Sequence, residues 1–205
     1  MEFVENLFER GGPVMWALLL CSLTSLTIVI ERLIFWTREE RKRKSGKVKR
    51  IFELTEEGKY DEAADTAGNG GSDFRAGVLA AGLRERKHGL SEAMQVEATN
   101  RVCRMKCGLA VLDTVITMAP LLGILGTVMG IIQSFDLLGA SGIEDPRAVT
   151  GGIAQALITT ATGLVVALVT LMFYNYFVSK TRKEAMELEQ IATQFEVAYR
   201  KSKCK

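Results

Sequence analysis

The sequence has few of the side chains that bind metals or perform catalysis, with one histidine and four cysteines among 205 residues. Cys103 and Cys107 lie one helical turn apart, and with His88 they suggest a metal site. No further ligands stand at a suitable spacing, so ordinary reduced thiols are the favoured interpretation. A phosphate-binding loop and a paired histidine and cysteine at catalytic distance are also missing. These absences predict a protein without enzyme chemistry, cofactor or metal.

Charge is missing from three long apolar stretches, apart from Asp113 near the start of the second. The stretches are Pro13–Ile30, Leu109–Phe135 and Ala148–Val178. Each reaches the roughly 20 residues that cross about 30 Å of hydrocarbon. A signal peptide is the alternative for the first stretch, but that stretch lacks a basic start, and Glu31 and Arg32 follow it in place of a small-residue cleavage site. We therefore predict three transmembrane helices.

Lysine and arginine predict the orientation of these spans. The segment Thr37–Arg50 and the tail after Val178 are strongly basic, whereas the first twelve residues and the loop Leu137–Thr150 hold one arginine each. A basic run beside a span more often meets anionic lipid than nucleic acid, so we predict membrane lipids and no nucleic acid as partners. The predicted layout is an outer amphipathic segment at 1–12, transmembrane helices at 13–36, 109–136 and 149–178, a cytoplasmic helical domain at 37–108, a periplasmic loop at 137–148 and a cytoplasmic helical tail at 179–205.

The predicted fold is an all-α integral membrane protein whose second and third spans extend as long cytoplasmic helices. Ser91 can cap a helix that runs straight into the second span, because neither proline nor glycine occurs before Gly108. The cytoplasmic insertion predicts further helices at Val48–Glu57, Tyr60–Ala67 and Phe74–Arg86.

Glycine and proline are concentrated in the apolar stretches, although they cost a helix in water about 1 and about 3 kcal/mol. In lipid, small residues let helix backbones approach closely and so drive association. We therefore predict that spans two and three pack through small residues, although generic membrane packing would also explain the pattern. The predicted packing residues are Pro120, Gly123, Gly126, Gly130, Gly152 and Gly163.

Polar side chains form a stripe on each of these two spans. The predicted lumen residues are Thr117, Thr127, Gln155, Thr159, Thr160 and Thr162. Gln155 needs a partner or water, because an unpaired amide is costly to bury. Two interpretations stay open, a water-containing or partner-facing lumen and a dry hydrogen-bonded seam between helices. In the apolar stretches Leu109–Phe135 and Ala148–Val178 the only carboxylate is Asp113, near the cytoplasmic end, so a proton relay would need a mid-membrane titrating group from another chain.

Three motifs resemble the MotA/TolQ/ExbB proton-channel family, and most closely its TolQ/ExbB branch. They are IERLIFW (Ile30–Trp36), APLLGILGTVMGI (Ala119–Ile131) and GGIAQALITTATGLVVAL (Gly151–Leu168). The resemblance implies a homo-pentamer around two transmembrane helices of an ExbD- or TolR-like partner, whose single span supplies the protonatable aspartate. It also implies an inner-membrane motor that energises outer-membrane import or envelope maintenance, with a TonB- or TolA-like transducer as a further partner.

Single residues carry over from the same resemblance. Thr127 and Thr160 match the family's lumen-facing threonines, and Pro120 matches the proline that opens the second motif. Gln155 stands where the family often has glutamate and cannot titrate. The resemblance therefore leaves the proton-carrying acid to the partner.

Three residues are predicted at the cytoplasmic boundary: Glu31, Arg32 and Asp113. Glu31 and Arg32 either anchor the first span or contact another subunit. Asp113 either attracts cations to the lumen or pairs with a neighbouring subunit. Two other functions remain as alternatives. One is a membrane scaffold without ion flow, and the other is a MotA-type flagellar stator, which typically has four spans.

Overall fold

The computed structural model of the protein describes residues 12–43, 46–68, 73–141 and 146–203. These ranges consist of helices and the turns between them, without a strand. The helices are α1 (Val14–Arg43), α2 (Lys47–Glu56), α3 (Tyr60–Gly68), α4 (Phe74–Arg84), α5 (Leu90–Lys106), α6 (Leu109–Ser141) and α7 (Pro146–Lys203). All but one residue of the predicted outer segment at 1–12, and also Cys204, lie outside the described residues.

Three helical stretches are long and apolar enough to cross a membrane, namely Val14–Arg41, Leu90–Asp136 and Thr150–Lys203. The prediction of an all-α membrane protein with three spans is therefore confirmed. The described chain divides into two compact units. The membrane unit consists of residues 12–31 and 108–176, and the polar unit consists of residues 32–107 and 177–203.

The membrane unit packs the beginning of α1 against the middle of α6 and α7. Its apolar core consists of Val14, Met15, Leu18, Ala119 and Ala167. Most of the large apolar side chains in these helices point outward instead, and Leu121, Leu157 and Leu168 each expose about 60% of their surface. Such a surface suits a hydrocarbon solvent, in which burying a leucine gains little.

The polar unit is built in the opposite way, with large side chains inside. Its fully buried residues include Ile51, Leu79, Leu83, Met94, Met105, Phe177, Leu188 and Phe195. The ring of Phe52 meets that of Phe195 edge-on at 5.3 Å, and Tyr60 meets Tyr199 at the same distance. Burial of apolar area drives folding of this kind in water, by roughly 1.5–3 kcal/mol for each large side chain.

Helices α2, α3 and α4 begin and end close to their predicted limits, but the predicted start of α5 is wrong. Ser91 does not cap the helix, because α5 begins at Leu90 and its N-cap is Gly89. Leu90, which is 8% exposed, is already helical, two residues before the first helical position that a Ser91 cap would give. The Ser91 hydroxyl instead donates a hydrogen bond of 3.3 Å to the Glu196 carboxylate.

The predicted uninterrupted run from Ser91 into the second span is also wrong. Helix α5 ends at Lys106, where Cys107 takes an extended conformation, and α6 begins at Leu109. Gly108 has a φ of 77°, a left-handed conformation that glycine adopts without steric cost. The extension of the second span is therefore broken at two residues, whereas α7 continues from Pro146 to Lys203 without a break.

Candidate functional site

Helices α6 and α7 approach each other closely along a row of glycines. A Cβ atom added at Gly126 would lie 2.6 Å from Oγ1 of Thr159, and one at Gly163 would lie 2.5 Å from the carbonyl oxygen of Ala119. A Cβ added at Gly130 would lie 2.8 Å from the carbonyl oxygen of Gly152. Real Cβ atoms essentially never lie at such distances, so a larger side chain at these positions would force the neighbouring atoms to move. The predicted packing glycines thus lie between the two helices.

Two threonines join the helices across this row. The hydroxyl of Thr160 on α7 donates to the carbonyl of Gly123 on α6 at 3.0 Å. The hydroxyl of Thr127 on α6 lies 3.2 Å from the carbonyl of Ala156 on α7, and it also contacts the Thr160 hydroxyl. Each helix therefore gives one hydroxyl to the other. We call the pair Thr127 and Thr160 the threonine clasp.

The other predicted lumen threonines, and Thr170 on α7 as well, bond within their own helices. Thr117 donates to Asp113, Thr159 to Ala156, Thr162 to Ile158 and Thr170 to Val166, over 2.7–3.1 Å. Thr159 and Thr170 are buried inside the membrane unit, whereas Thr117 is exposed and Thr162 is half-buried. These threonines therefore lie in different environments. Of the six, only Thr127 and Thr160 form hydrogen bonds between the two spans.

Gln155 lies against the beginning of the first span. Its carboxamide nitrogen occupies the position into which a Cβ on Gly12 would project. Gly12 has a φ of 67°, a left-handed conformation that favours glycine, whereas the flexible end of the Gln155 side chain can move aside. No sequence pattern predicts this contact, because the two residues are far apart in the chain and only the fold brings them together.

Beside the threonine clasp lies an uncharged apolar surface. Ile124 and Val128 expose 55% and 49% of their side chains there. Helix α6 carries no charged residue between Asp113 and Asp136, and α7 carries none from Ala148 to Ser179. Pro120 interrupts the backbone ladder of α6, because its ring nitrogen cannot donate to the carbonyl of Ile116.

The predicted boundary residues differ in their surroundings. Glu31 and Asp113 are exposed, but Arg32 is only 5% exposed. The Arg32 guanidinium donates to the carbonyl of Arg104 at 3.0 Å and lies 4.7 Å from the centre of the Phe35 ring. The Arg104 carbonyl belongs to the last turn of α5, where it also accepts a hydrogen bond of 3.4 Å from the backbone N–H of Cys107. Arg32 thus stabilises the point at which α5 ends, a role the sequence did not reveal.

Cys103 and Cys107 are exposed free thiols. Within the part of the chain that the structure describes, no three histidine, cysteine, aspartate or glutamate side chains come together as metal ligands. The candidate site therefore consists of the clasp, the glycine row and the apolar surface beside them.

Three membrane-length helices, two of them joined by glycines and hydroxyls, define a multi-pass membrane protein with an uncharged interior. Residues 72–190 match the family described as the MotA/TolQ/ExbB proton channel family. The chain belongs to this family, as the sequence motifs indicated.

Several relatives resemble the chain over different shares of its length. The putative biopolymer transport protein ExbB-like 1 of Synechocystis sp. is 34% identical, over 94% of this chain and 78% of its own. A putative ExbB homolog of Methanothermobacter thermautotrophicus is 30% identical, over 92% of this chain and 67% of its own. The biopolymer transport protein ExbB of Aquifex aeolicus is 40% identical, over 40% of this chain and 56% of its own.

Proposed function

We propose that this chain is the channel-forming subunit of a proton-driven motor in the bacterial inner membrane. In this proposal it forms a homo-pentamer around two copies of an ExbD- or TolR-like partner, and α6 and α7 line the lumen. The work energises outer-membrane import or envelope maintenance through a TonB- or TolA-like transducer. The observation that carries the proposal is the threonine clasp, which places two hydroxyls together at the edge of an otherwise apolar surface.

The clasp offers acceptor atoms inside the membrane. The Thr160 hydroxyl can donate either to the Gly123 carbonyl or to Thr127, and its oxygen has two lone pairs that can accept. Both threonines are half-buried, so a water molecule or a carboxyl group can approach from one side. We propose that a protonated partner aspartate meets this polar point and exchanges its proton with water there.

Away from the clasp, the same surface stabilises the neutral form of the partner acid. Ile124 and Val128 present only hydrocarbon, and an ionised carboxylate in such surroundings is costly, so its pKa would be raised. The partner acid would then be neutral along the apolar wall and ionisable beside the clasp. The proton motive force fixes the order of these two states and so drives movement of the partner.

The first span is proposed to face lipid on the outside of the pentamer. One side of α1 exposes Trp16, Leu20, Leu23, Leu26 and Ile30, each by about half or more. The recurrence of these residues every three or four positions describes one helical face. The N-terminus is proposed to lie in the periplasm and the C-terminus in the cytoplasm, because segments rich in lysine and arginine tend to stay on the cytoplasmic side of a span.

The test replaces the clasp hydroxyl with a methyl group by Thr160→Val, which keeps the side-chain shape. Complexes with the partner are reconstituted in vesicles, and proton entry is followed with an internal pH-sensitive dye. We expect proton entry to fall at least tenfold while the complex stays assembled on size-exclusion chromatography.

Thr162→Val is the matched control, because Thr162 bonds only to the Ile158 carbonyl of its own helix. It should conduct normally, and Thr160→Ser should restore activity by restoring the hydroxyl. Undiminished proton entry in an assembled Thr160→Val complex would remove the clasp from the path.

A non-conducting scaffold is the second candidate, because the clasp satisfies its own hydrogen bonds between α6 and α7. A scaffold would keep its function when an uncoupler collapses the proton gradient, whereas the motor would stop at once.

A further inference from the structure

A groove of about 430 Å³ lies between α5 and the end of α7, within the polar unit. Its lining includes the small side chains Ala98, Ala185 and Ala192, and the carboxylates of Glu189 and Glu196 stand along it. On α5 the lining residues recur from Ser91 to Lys106, which corresponds to about 23 Å of helix. A long groove with a floor of small residues fits another helix better than a compact ligand.

A complementary ridge lies on the adjacent face of α7. Met186 and Val197 expose 55% and 49% of their side chains, and their spacing of 11 residues places them within about 20° of each other around the helix. Exposed basic residues flank this pair, namely Arg182, Lys183 and Lys201. The ridge is therefore apolar along its centre and positively charged at its sides.

We propose that the groove of one subunit receives the Met186–Val197 ridge of a second copy of this chain. The carboxylate of Glu189 is exposed in the groove, and the flanking cations of the ridge are opposite to it in charge. The groove lining includes two carboxylates, Glu189 and Glu196, and one cation, Lys106, so its net charge is negative. The inference deepens the proposed function and rests on it, because it assigns part of the contact between pentamer subunits to the polar unit.

The ridge and the groove lie on neighbouring faces of α7. Met186 and Val197 directly follow the groove residues Ala185 and Glu196, and Thr193, which also lines the groove, lies at the border between the two faces. Contact between two different surfaces of identical chains is head-to-tail, so each subunit would use both surfaces.

Cysteine cross-linking in membranes tests the contact directly. Two differently tagged versions of the full chain are produced together with the partner protein. One keeps Cys103, on the α5 side of the groove, as its only cysteine. The other has Met186→Cys as its only cysteine, so a short bifunctional thiol reagent can join them only between subunits. We expect at least tenfold more mixed dimer than with Asp65→Cys, an exposed position on α3, in place of Met186→Cys.

The outcome separates this inference from the proposed function. Native mass spectrometry could show a closed oligomer while the yield of mixed dimer does not exceed that of the Asp65→Cys control. In that case the groove is not the contact, and the inference fails while the proposed function stands. If the chain does not associate at all, both proposals fail.

Two charged variants test the same contact at an exposed position, where neither substitution should prevent folding. Met186→Glu and Met186→Lys replace the same exposed side chain and differ only in the sign of the charge. Val197→Cys serves as the cross-linking position. We expect Met186→Glu to give at least tenfold less mixed dimer than Met186→Lys, because Glu189 in the groove of the other copy repels the new carboxylate. Equal yields for both variants would contradict a ridge docked beside that carboxylate.

Discussion

Helix α7 runs through both units, and its buried face changes character between them. In the membrane unit the buried positions hold small residues, including Gly152, Ala156, Thr159, Gly163 and Ala167. In the polar unit the same helix buries Phe177, Leu188 and Phe195. The change takes place within one continuous helix, so backbone geometry does not cause it.

The solvent around each unit explains the difference. In water a large apolar side chain gains stability by leaving the solvent, so the largest residues lie inside. In lipid that gain is nearly absent, and close contact between backbones with a few hydrogen bonds replaces it. The buried side chains of α7 are therefore small where lipid surrounds the helix and large where water surrounds it.

The sharpest test of this comparison truncates one leucine in each unit of the same helix. Leu188 is 1% exposed and Leu168 is 64% exposed. We expect Leu188→Ala to lower the free energy of unfolding by about 2–5 kcal/mol, because it leaves a cavity. Leu168→Ala should change it by no more than about 0.5 kcal/mol. Unfolding in mixed detergent measures both, and similar losses would mean that the outward face of α7 is buried after all.

The same physical rule explains how much the sequence could predict. Three uncharged stretches of membrane length can be read directly, because exclusion of charge from hydrocarbon acts on each residue separately. The glycines and threonines at helical spacing likewise indicated which faces of α6 and α7 are small. The family could be recognised from the motifs that contain these residues, and residues 72–190 match that family.

Contacts between distant parts of the chain could not be predicted in this way. Arg32 binds the carbonyl of a residue 72 positions away, and Gln155 packs on Gly12. The break at Gly108 was missed because a single glycine is tolerated inside a helix at a cost of about 1 kcal/mol. Only the surrounding structure determines whether such a glycine continues the helix or ends it.

A second test concerns the glycine row, again with one substitution at two positions of α7. Gly163→Ala would place a methyl group 2.5 Å from the Ala119 carbonyl oxygen, which belongs to rigid backbone. We expect a loss of about 1–3 kcal/mol in the free energy of unfolding, because the helices must separate. Gly151→Ala meets open space and should be neutral or slightly stabilising. An unchanged stability in Gly163→Ala would mean that α6 and α7 are not in close contact there.

A third test measures the clasp by a double-mutant cycle of Thr127→Val and Thr160→Val. Hydrogen bonds between membrane helices contribute about 0.6 kcal/mol on average, so we expect a coupling of about 0.6–1.7 kcal/mol. The same cycle between Thr127 and Thr162 should give no coupling, since Thr162 bonds within its own helix. Additive effects for the first pair would show that the two hydroxyls do not interact.

The smallest expected effects come from the ion pairs of the polar unit, which is the unit that water surrounds. Glu187 contacts Arg43 at 3.0 Å and also Arg75, whose side chain is only 14% exposed. The pair between Arg50 and Glu53 is more open, with about half of each side chain exposed. We expect Glu187→Gln to lower the free energy of unfolding by about 1 kcal/mol and Glu53→Gln by about 0.2–0.5 kcal/mol.

Added salt distinguishes the two units in the same measurement. Trp36 lies in the polar unit, and the only other tryptophan is Trp16, so Trp16→Phe makes the fluorescence specific for the polar unit. Raising the ionic strength should shrink the effect of Glu53→Gln more than that of Glu187→Gln, because exposed charges are screened more completely than partly buried ones. The loss caused by Gly163→Ala should not change with salt, since contact distances rather than charges produce it. A salt-dependent loss at Gly163 would contradict the distinction between the two halves of α7.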